Sequence, residues 1–194
     1  MAGQGTSGPR VNALRKEVAV GAEATSRAPA EVVWDLLADL RSHREWGGER
    51  QKRNTRLLSL DAPEGPAKVG TEFRTQGRDP LGTFTDRSVV TEATRPSVFE
   101  FVTEAHLETK KGKVTDWTVV HRYELEPTGA GCRIRYTVRI TRISELIGAL
   151  ALFKVPGLRS LGMKASAGVG KRGVRNLARL AEERGMDHGK GEQR

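Results

Sequence analysis

The stretch 114–142, VTDWTVVHRYELEPTGAGCRIRYTVRITR, decides the architecture of this chain. In its first part Trp117, Val119, His121, Tyr123 and Leu125 alternate with Thr118, Val120, Arg122, Glu124 and Glu126. In its second part Cys132, Ile134, Tyr136, Val138 and Ile140 alternate with Arg133, Arg135, Thr137, Arg139 and Thr141. A period of two with one apolar and one charged face describes strands of a sheet that is wet on one side. The Pro- and Gly-containing link between them is too short for a crossover helix, so the two strands pair antiparallel. Arg and Glu on the charged face pair across strands and discourage association at the edge. The apolar face demands a cover.

Outward from this hairpin, strand-like runs recur at 55–60, 71–76, 83–93 and 98–107, separated by turn-forming stretches such as Gly77-Arg-Asp-Pro-Leu-Gly82. A further strand at 17–25 makes seven. The cover must come from helices. One is expected at 29–40, with Pro29 in the first turn, where its missing N–H costs nothing, and Val33, Trp34, Leu37 and Leu40 at helical spacing. A short second helix follows at 42–46. At the other end Met163, Ala167, Gly170, Val174, Leu177 and Ala181 share one helical face, while Lys164, Lys171, Arg175 and Arg179 form a separate stripe. The covering face is rich in small residues, which either let the helix lie close to the sheet or leave room for a ligand. The expected fold is α+β: a curved, seven-stranded antiparallel sheet around a long C-terminal helix, with two short helices after the first strand. One domain is expected at 16–185, between disordered tails at 1–15 and 186–194.

Composition narrows the function classes. The 194 residues are 37% hydrophobic with a mean hydropathy of −0.51. The longest apolar stretch, 146–153, falls short of the ~20 residues of a spanning helix; it reads as a helix on the sheet edge or a segment beside a cavity mouth. With no charged-then-apolar leader, a cytoplasmic location is expected. Cys132 is the sole cysteine, and His43, His106, His121 and His188 lack metal-ligand spacing, so no metal site is expected. Gly168-Val-Gly-Lys-Arg-Gly173 matches a dinucleotide fingerprint in letters only, since no strand precedes it. Asp35 and Asp39 read as solvent-facing rather than as an acid pair. The net charge is +9, and ten Lys or Arg stand against five Asp or Glu from Glu145 onward. RNA or an anionic membrane could use Lys171, Arg175 and Arg179, or these could be a solvated helix face; DNA binding is not expected.

Three segments carry a family resemblance: Ala28-Pro-Ala-Glu-Val-Val-Trp-Asp-Leu-Leu-Ala-Asp39 followed by Trp46, Val69-Gly-Thr-Glu-Phe73, and Gly173-Val-Arg-Asn-Leu-Ala-Arg-Leu-Ala-Glu-Glu183. With the paired strands between them, the chain resembles the polyketide cyclase/dehydrase and lipid transport family, within the START-like or birch-pollen-allergen-like helix-grip superfamily. The likeness spans roughly 17–184 and marks fold better than substrate. It implies a hydrophobic small molecule, such as a polyketide, lipid or other polycyclic or acyl ligand, held between sheet and helix, without a cofactor. Candidate lining residues are Trp34, Trp46, Phe73, Phe84, Phe99, Phe101, Trp117, Gly170 and Val174. His121, Tyr123 and Tyr136 are the candidate catalytic residues: inward-facing polar groups that either satisfy one another or meet a ligand, and that could move protons in an aromatase/cyclase-type reaction. A non-catalytic lipid or quinone carrier would need the same features, and a partner of the basic helix is a third reading.

Overall fold

The computed structural model describes residues 17–48, 56–78, 80–146 and 159–191, the last helix by its backbone alone at 159–169 and 187–191. Strands β1 (Val18–Ser26), β2 (Arg56–Asp61), β3 (Glu72–Arg78), β4 (Gly82–Thr94), β5 (Val98–Thr109), β6 (Val114–Thr128) and β7 (Gly131–Ile143) form one antiparallel sheet in the order β1-β7-β6-β5-β4-β3-β2. Helix α1 (Ala30–Ala38) follows β1, and α2 (Arg159–Gly191) closes the chain. The expected arrangement of seven curved strands around a terminal helix is what the chain adopts.

Boundaries differ in instructive ways. Pro29 is the residue before the first helical turn, not inside it, and α1 stops at Ala38. Beyond it the expected second helix splits into a 3₁₀ turn, Leu40–Ser42, and a π-helical turn, Arg44–Gly48. Helix α2 continues to Gly191, into the stretch expected as a tail. The segment 147–158, the tail 1–15, and the side chains of Met163, Lys164 and Ala167 lie outside the described residues.

The sheet curves because it is bulged. The ladders slip by one residue between Leu57 and Ser59, between Val90 and Glu92, and between β6 Thr118/Val119 and β7 Ile140/Arg142. Each slip bends its strand and raises the local twist. The third places Thr141 out of the ladder, so Ile143 faces inward with 0% exposure while Arg142 stays outside. Strict alternation would have reversed these two.

The core occupies one half of the concave face. There α1 and the C-terminal half of α2 bury Phe99, Ile134, Val33, Leu37, Leu40, Val174 and Leu177. Burying each such side chain contributes about 1.5–3 kcal/mol. The buried face of α2 is broader than the expected stripe, because Ala178 and Leu180 are also covered. Ser26 ties the two layers: its hydroxyl donates to the carbonyl of Ala178 in α2 at 3.0 Å and accepts from Ala28 N–H at 3.2 Å.

Candidate functional site

Register assigns the inner face row by row. Phe99, Tyr123, Tyr136 and Ala22 lie side by side across β5, β6, β7 and β1; Phe101, His121, Val138 and Val20 form the next row. Thr103, Val119 and Ile140 follow, and Asp86, Ala105 and Trp117 lie beyond them. The first row is sealed by the helices. Further along, His121, Val138, Ile140, Trp117, Phe84 and Asp86 point inward yet stay half-buried. The concave face thus has a half covered by the described helices and a more accessible half, in which Thr103, Val119 and Ala105 are nonetheless buried.

At the border between them sits a hydrogen-bonded chain. His121 Nδ1 lies 2.7 Å from the Tyr136 hydroxyl, and that hydroxyl is bonded in turn to Tyr123. Rings stack around the chain: Phe101 on His121 at 4.6 Å and 16°, and Tyr123 on Tyr136 at 4.5 Å and 25°. A chain running from Tyr123 O–H to Tyr136 oxygen and from Tyr136 O–H to His121 Nδ1 puts the imidazole proton on Nε2. Burial, with the nearby His43 ring, lowers the His121 pKa to about 4, and burial raises both tyrosines above their ordinary value. At neutral pH all three groups are uncharged.

His43, which the sequence reading set aside as a scattered histidine, completes the cluster. Helix α1 ends with carbonyls that its own backbone cannot satisfy. The Ser42 hydroxyl donates to Leu36 oxygen at 2.6 Å, and His43 Nε2 lies 2.9 Å from Leu37 oxygen. Pinned this way, the imidazole packs against Trp46 at 4.7 Å, Phe73 at 5.9 Å and Phe101 at 6.0 Å. Burial drives its pKa down to about 4. Trp46 donates to the Ser42 hydroxyl at 3.3 Å, while Asn176 of α2 holds the Trp46 carbonyl at 3.2 Å. No periodicity marks His43; the signal is its position three residues past the predicted helix end at Leu40.

The other candidate lining residues divide. Trp46, Phe73 and Phe101 join the histidine–tyrosine cluster. Trp34 stands apart: its indole donates to Val98 oxygen at 3.1 Å, and Arg95 lies over its ring while gripping Asp35 at 2.9 and 3.1 Å. Asp35 is therefore an ion-pair partner on the surface. Phe99 and Val174 are core residues at 0% and 1% exposure. Phe84 and Trp117 line the accessible half, the ring of Phe84 lying over the space a side chain would need at Gly77. Gly170 answers the question of the small residues at its own position: a Cβ there would stand 3.3 Å from the Tyr136 ring. The glycine lets α2 lie close to the sheet.

Lys171, Arg175 and Arg179 are exposed on α2. Glu182, three residues beyond Arg179 on the helix, accepts from Arg27 side chain and backbone at 3.3 and 2.9 Å. Among the described residues no group of acidic, histidine or cysteine side chains is arranged to hold a metal ion, and no helix is long and apolar enough to cross a membrane.

Comparison with solved structures gives the same fold at low identity. Protein CV1439 from Chromobacterium violaceum is 13% identical, with a TM-score of 0.55, over 84% of this chain and 96% of that one. Protein MLL2253 from Mesorhizobium loti is 17% identical, with a TM-score of 0.54, over 86% and 98%. Ara h 8.0201 is 12% identical, with a TM-score of 0.51, over 85% and 97%. No curated protein matches the chain in sequence. A family model does match, over residues 17–182, and that family together with the fold supports binding of a hydrophobic small molecule in general. The chain belongs to the polyketide cyclase / dehydrase and lipid transport family.

Proposed function

We propose that this protein holds a hydrophobic small molecule against the accessible half of its concave face, with the Tyr123–Tyr136–His121 chain reading a polar group on it. The supporting observation is the chain itself: a series of hydrogen bonds that ends on a half-buried, inward-facing imidazole. With its proton on Nε2, that ring offers one donor to a carbonyl or hydroxyl. Aromatic rings on either side suit a flat or acyl body.

The same groups weigh against proton-transfer chemistry as the first reading. A general base works best with a pKa near the operating pH. His121 at about 4 is a hydrogen-bonding group at neutrality, and Tyr136, pushed up by burial, is a reluctant acid. Binding and orientation are therefore favoured over aromatase/cyclase turnover. The test is native mass spectrometry of freshly purified protein, then solvent extraction and identification of what it carries. A discrete hydrophobic molecule, retained less by Y136F and H121F, supports the reading. A protein that carries nothing and binds no member of a panel of acyl and polycyclic probes overturns it. A carried molecule that is chemically altered on incubation would restore the cyclase.

Lys171, Arg175 and Arg179 support a second reading, a salt-dependent contact with RNA or an anionic membrane, because no ion pair holds them among the described residues. Each phosphate neutralised would add about 0.7–0.9 to the slope of log affinity against log salt.

A further inference from the structure

Asp86 is a carboxylate in an unexpected place. Its register partners are Thr75 on β3 and Ala105 on β5, and Ala105 in turn is paired with Trp117. Phe73, two residues before Thr75, packs on His43 and Phe101 inside the fold. Side chains of a strand alternate faces, so Thr75 and Asp86 share this inner face. The Thr75 hydroxyl donates to Asp86 Oδ2 at 3.3 Å, and Asp86 forms no ion pair among the described residues. The outer face treats its carboxylates differently. There Arg122 holds Glu92, Glu100 and Glu124 at 2.6, 3.1 and 3.3 Å, and Arg87 holds Glu72 at 2.7 Å. A charge withdrawn from water with neither cation nor several hydrogen bonds is costly, and burial raises the Asp86 pKa to about 6.

Its surroundings are those of a binding floor rather than a core. Phe84, Asp86 and Trp117 all remain half-buried on the concave side. The neighbouring inward row carries the Ser88–Thr103 hydroxyl pair, 2.8 Å apart. From Asp86 the His121 row lies two rows and two strands away, about 16 Å at ordinary strand spacings. That is the length of an extended acyl chain of about a dozen carbons, or of several fused rings.

We infer that Asp86 is a second recognition point of the same site, and that the ligand is bipolar: an apolar body whose far end carries a hydrogen-bond donor, an amine before a hydroxyl, seated on this carboxylate. The inference rests on the proposed ligand site and deepens it. Thr75 orients the carboxylate; the donor end of the ligand supplies the partner that the protein omits.

The experiment compares three probes of equal length, dodecylamine, dodecan-1-ol and dodecanoate, binding to the full chain at pH 7, read by isothermal titration and Trp fluorescence. The chain carries a net charge of +9, so general electrostatics would favour the anionic probe. Asp86 predicts the opposite order, with dodecylamine at least tenfold tighter than dodecanoate and the alcohol between them. In D86N the amine should lose that advantage while the alcohol keeps its affinity. Equal affinities, or a preference for dodecanoate, overturn the role of Asp86 and leave the hydrophobic site standing. Binding of none of the three overturns the site and this inference together. The ranking on the unsubstituted chain decides the matter even if D86N folds poorly.

Discussion

Tyr136 is the pivot of the buried hydrogen-bond chain, and replacing it with phenylalanine leaves His121 Nδ1 without its partner at 2.7 Å. An orphaned buried acceptor costs about 1–3 kcal/mol. Y136F should lower stability by that amount in urea unfolding at pH 7, and Y123F, which removes the outer link only, should cost less. Asp86 makes the opposite prediction. Its folded pKa, about 6, exceeds the ordinary 3.8, so the folded state holds its proton longer than the unfolded state does. The resulting stability is present below pH 3.8 and lost as pH rises through 6. D86N should therefore stabilise the protein at pH 7, by an upper limit of about 3 kcal/mol, and the gain should shrink toward pH 4. Neither His43 nor Asp86 was legible as a site residue in the sequence, for different reasons. In 83–93 both alternating sets mix apolar and polar residues, so nothing in the pattern tells which face Asp86 takes; only pairing with Ala105 settles it. The role of His43 depends on carbonyls at the end of α1, which no side-chain pattern records.

Among the elements, the β4 start shows how closely backbones approach. A Cβ at Gly82 would collide with the Glu108 carbonyl of β5, and a main chain cannot rotate away as a side chain can. G82A should cost about 1–3 kcal/mol, as overpacking does in a core, whereas G47A, which meets nothing within 4 Å, should be nearly neutral. Helix α2 supplies a second contrast. Neutralising Lys171, Arg175 and Arg179 together should leave thermal unfolding within about 0.5 kcal/mol, as expected for exposed groups outside any ion pair. If anionic vesicles or RNA bind the protein, that affinity should fall in the same variant. The strand alternation of β6 and β7 was fully legible because burial on one side only leaves a period of two. Val120 follows the predicted outer face yet is buried at 8% exposure, with Val102 and Arg139 as its neighbours in register. The aliphatic stem of an arginine can cover such a residue, and composition on a face does not reveal it.

For the molecule as a whole, two neutral histidines, His43 buried and His121 half-buried, set the response to acid. His43 and His121 have folded pKa values of about 4 against an ordinary 6.5. The unfolded chain takes up protons first, so stability is full above pH 6.5 and is lost as pH falls through 4. Each imidazole accounts for a loss on the order of 3 kcal/mol, which the gain at Asp86 offsets only once. Equilibrium unfolding followed from pH 7 to pH 4 should show a falling midpoint. A phenylalanine at either histidine should flatten the slope, even where it lowers stability at pH 7. At this scale the sequence was at its most informative: strand count, antiparallel order and the closing helix all follow from patterning and turn chemistry. Curvature did not, because bulges are single-residue events that a periodic pattern averages away.

The bulge at Thr141 gives β7 a property that its alternation hides. Before it, even-numbered residues from Cys132 to Ile140 face inward; after it, the odd-numbered Ile143 does, and Thr141 itself leans on the Thr118 carbonyl at 3.4 Å. The strand is in effect two phases of one wave spliced at a single position. Removing that one residue would restore an unbroken ladder and leave Arg142 outside and Ile143 inward, whereas drawing Thr141 into the ladder would turn Arg142 toward the interior and Ile143 toward water. Insertions and deletions in a chain are usually tolerated in loops, where phase has no meaning. Here a deletion of one threonine inside a strand should leave every inward side chain inward, and what it would remove is the local bend.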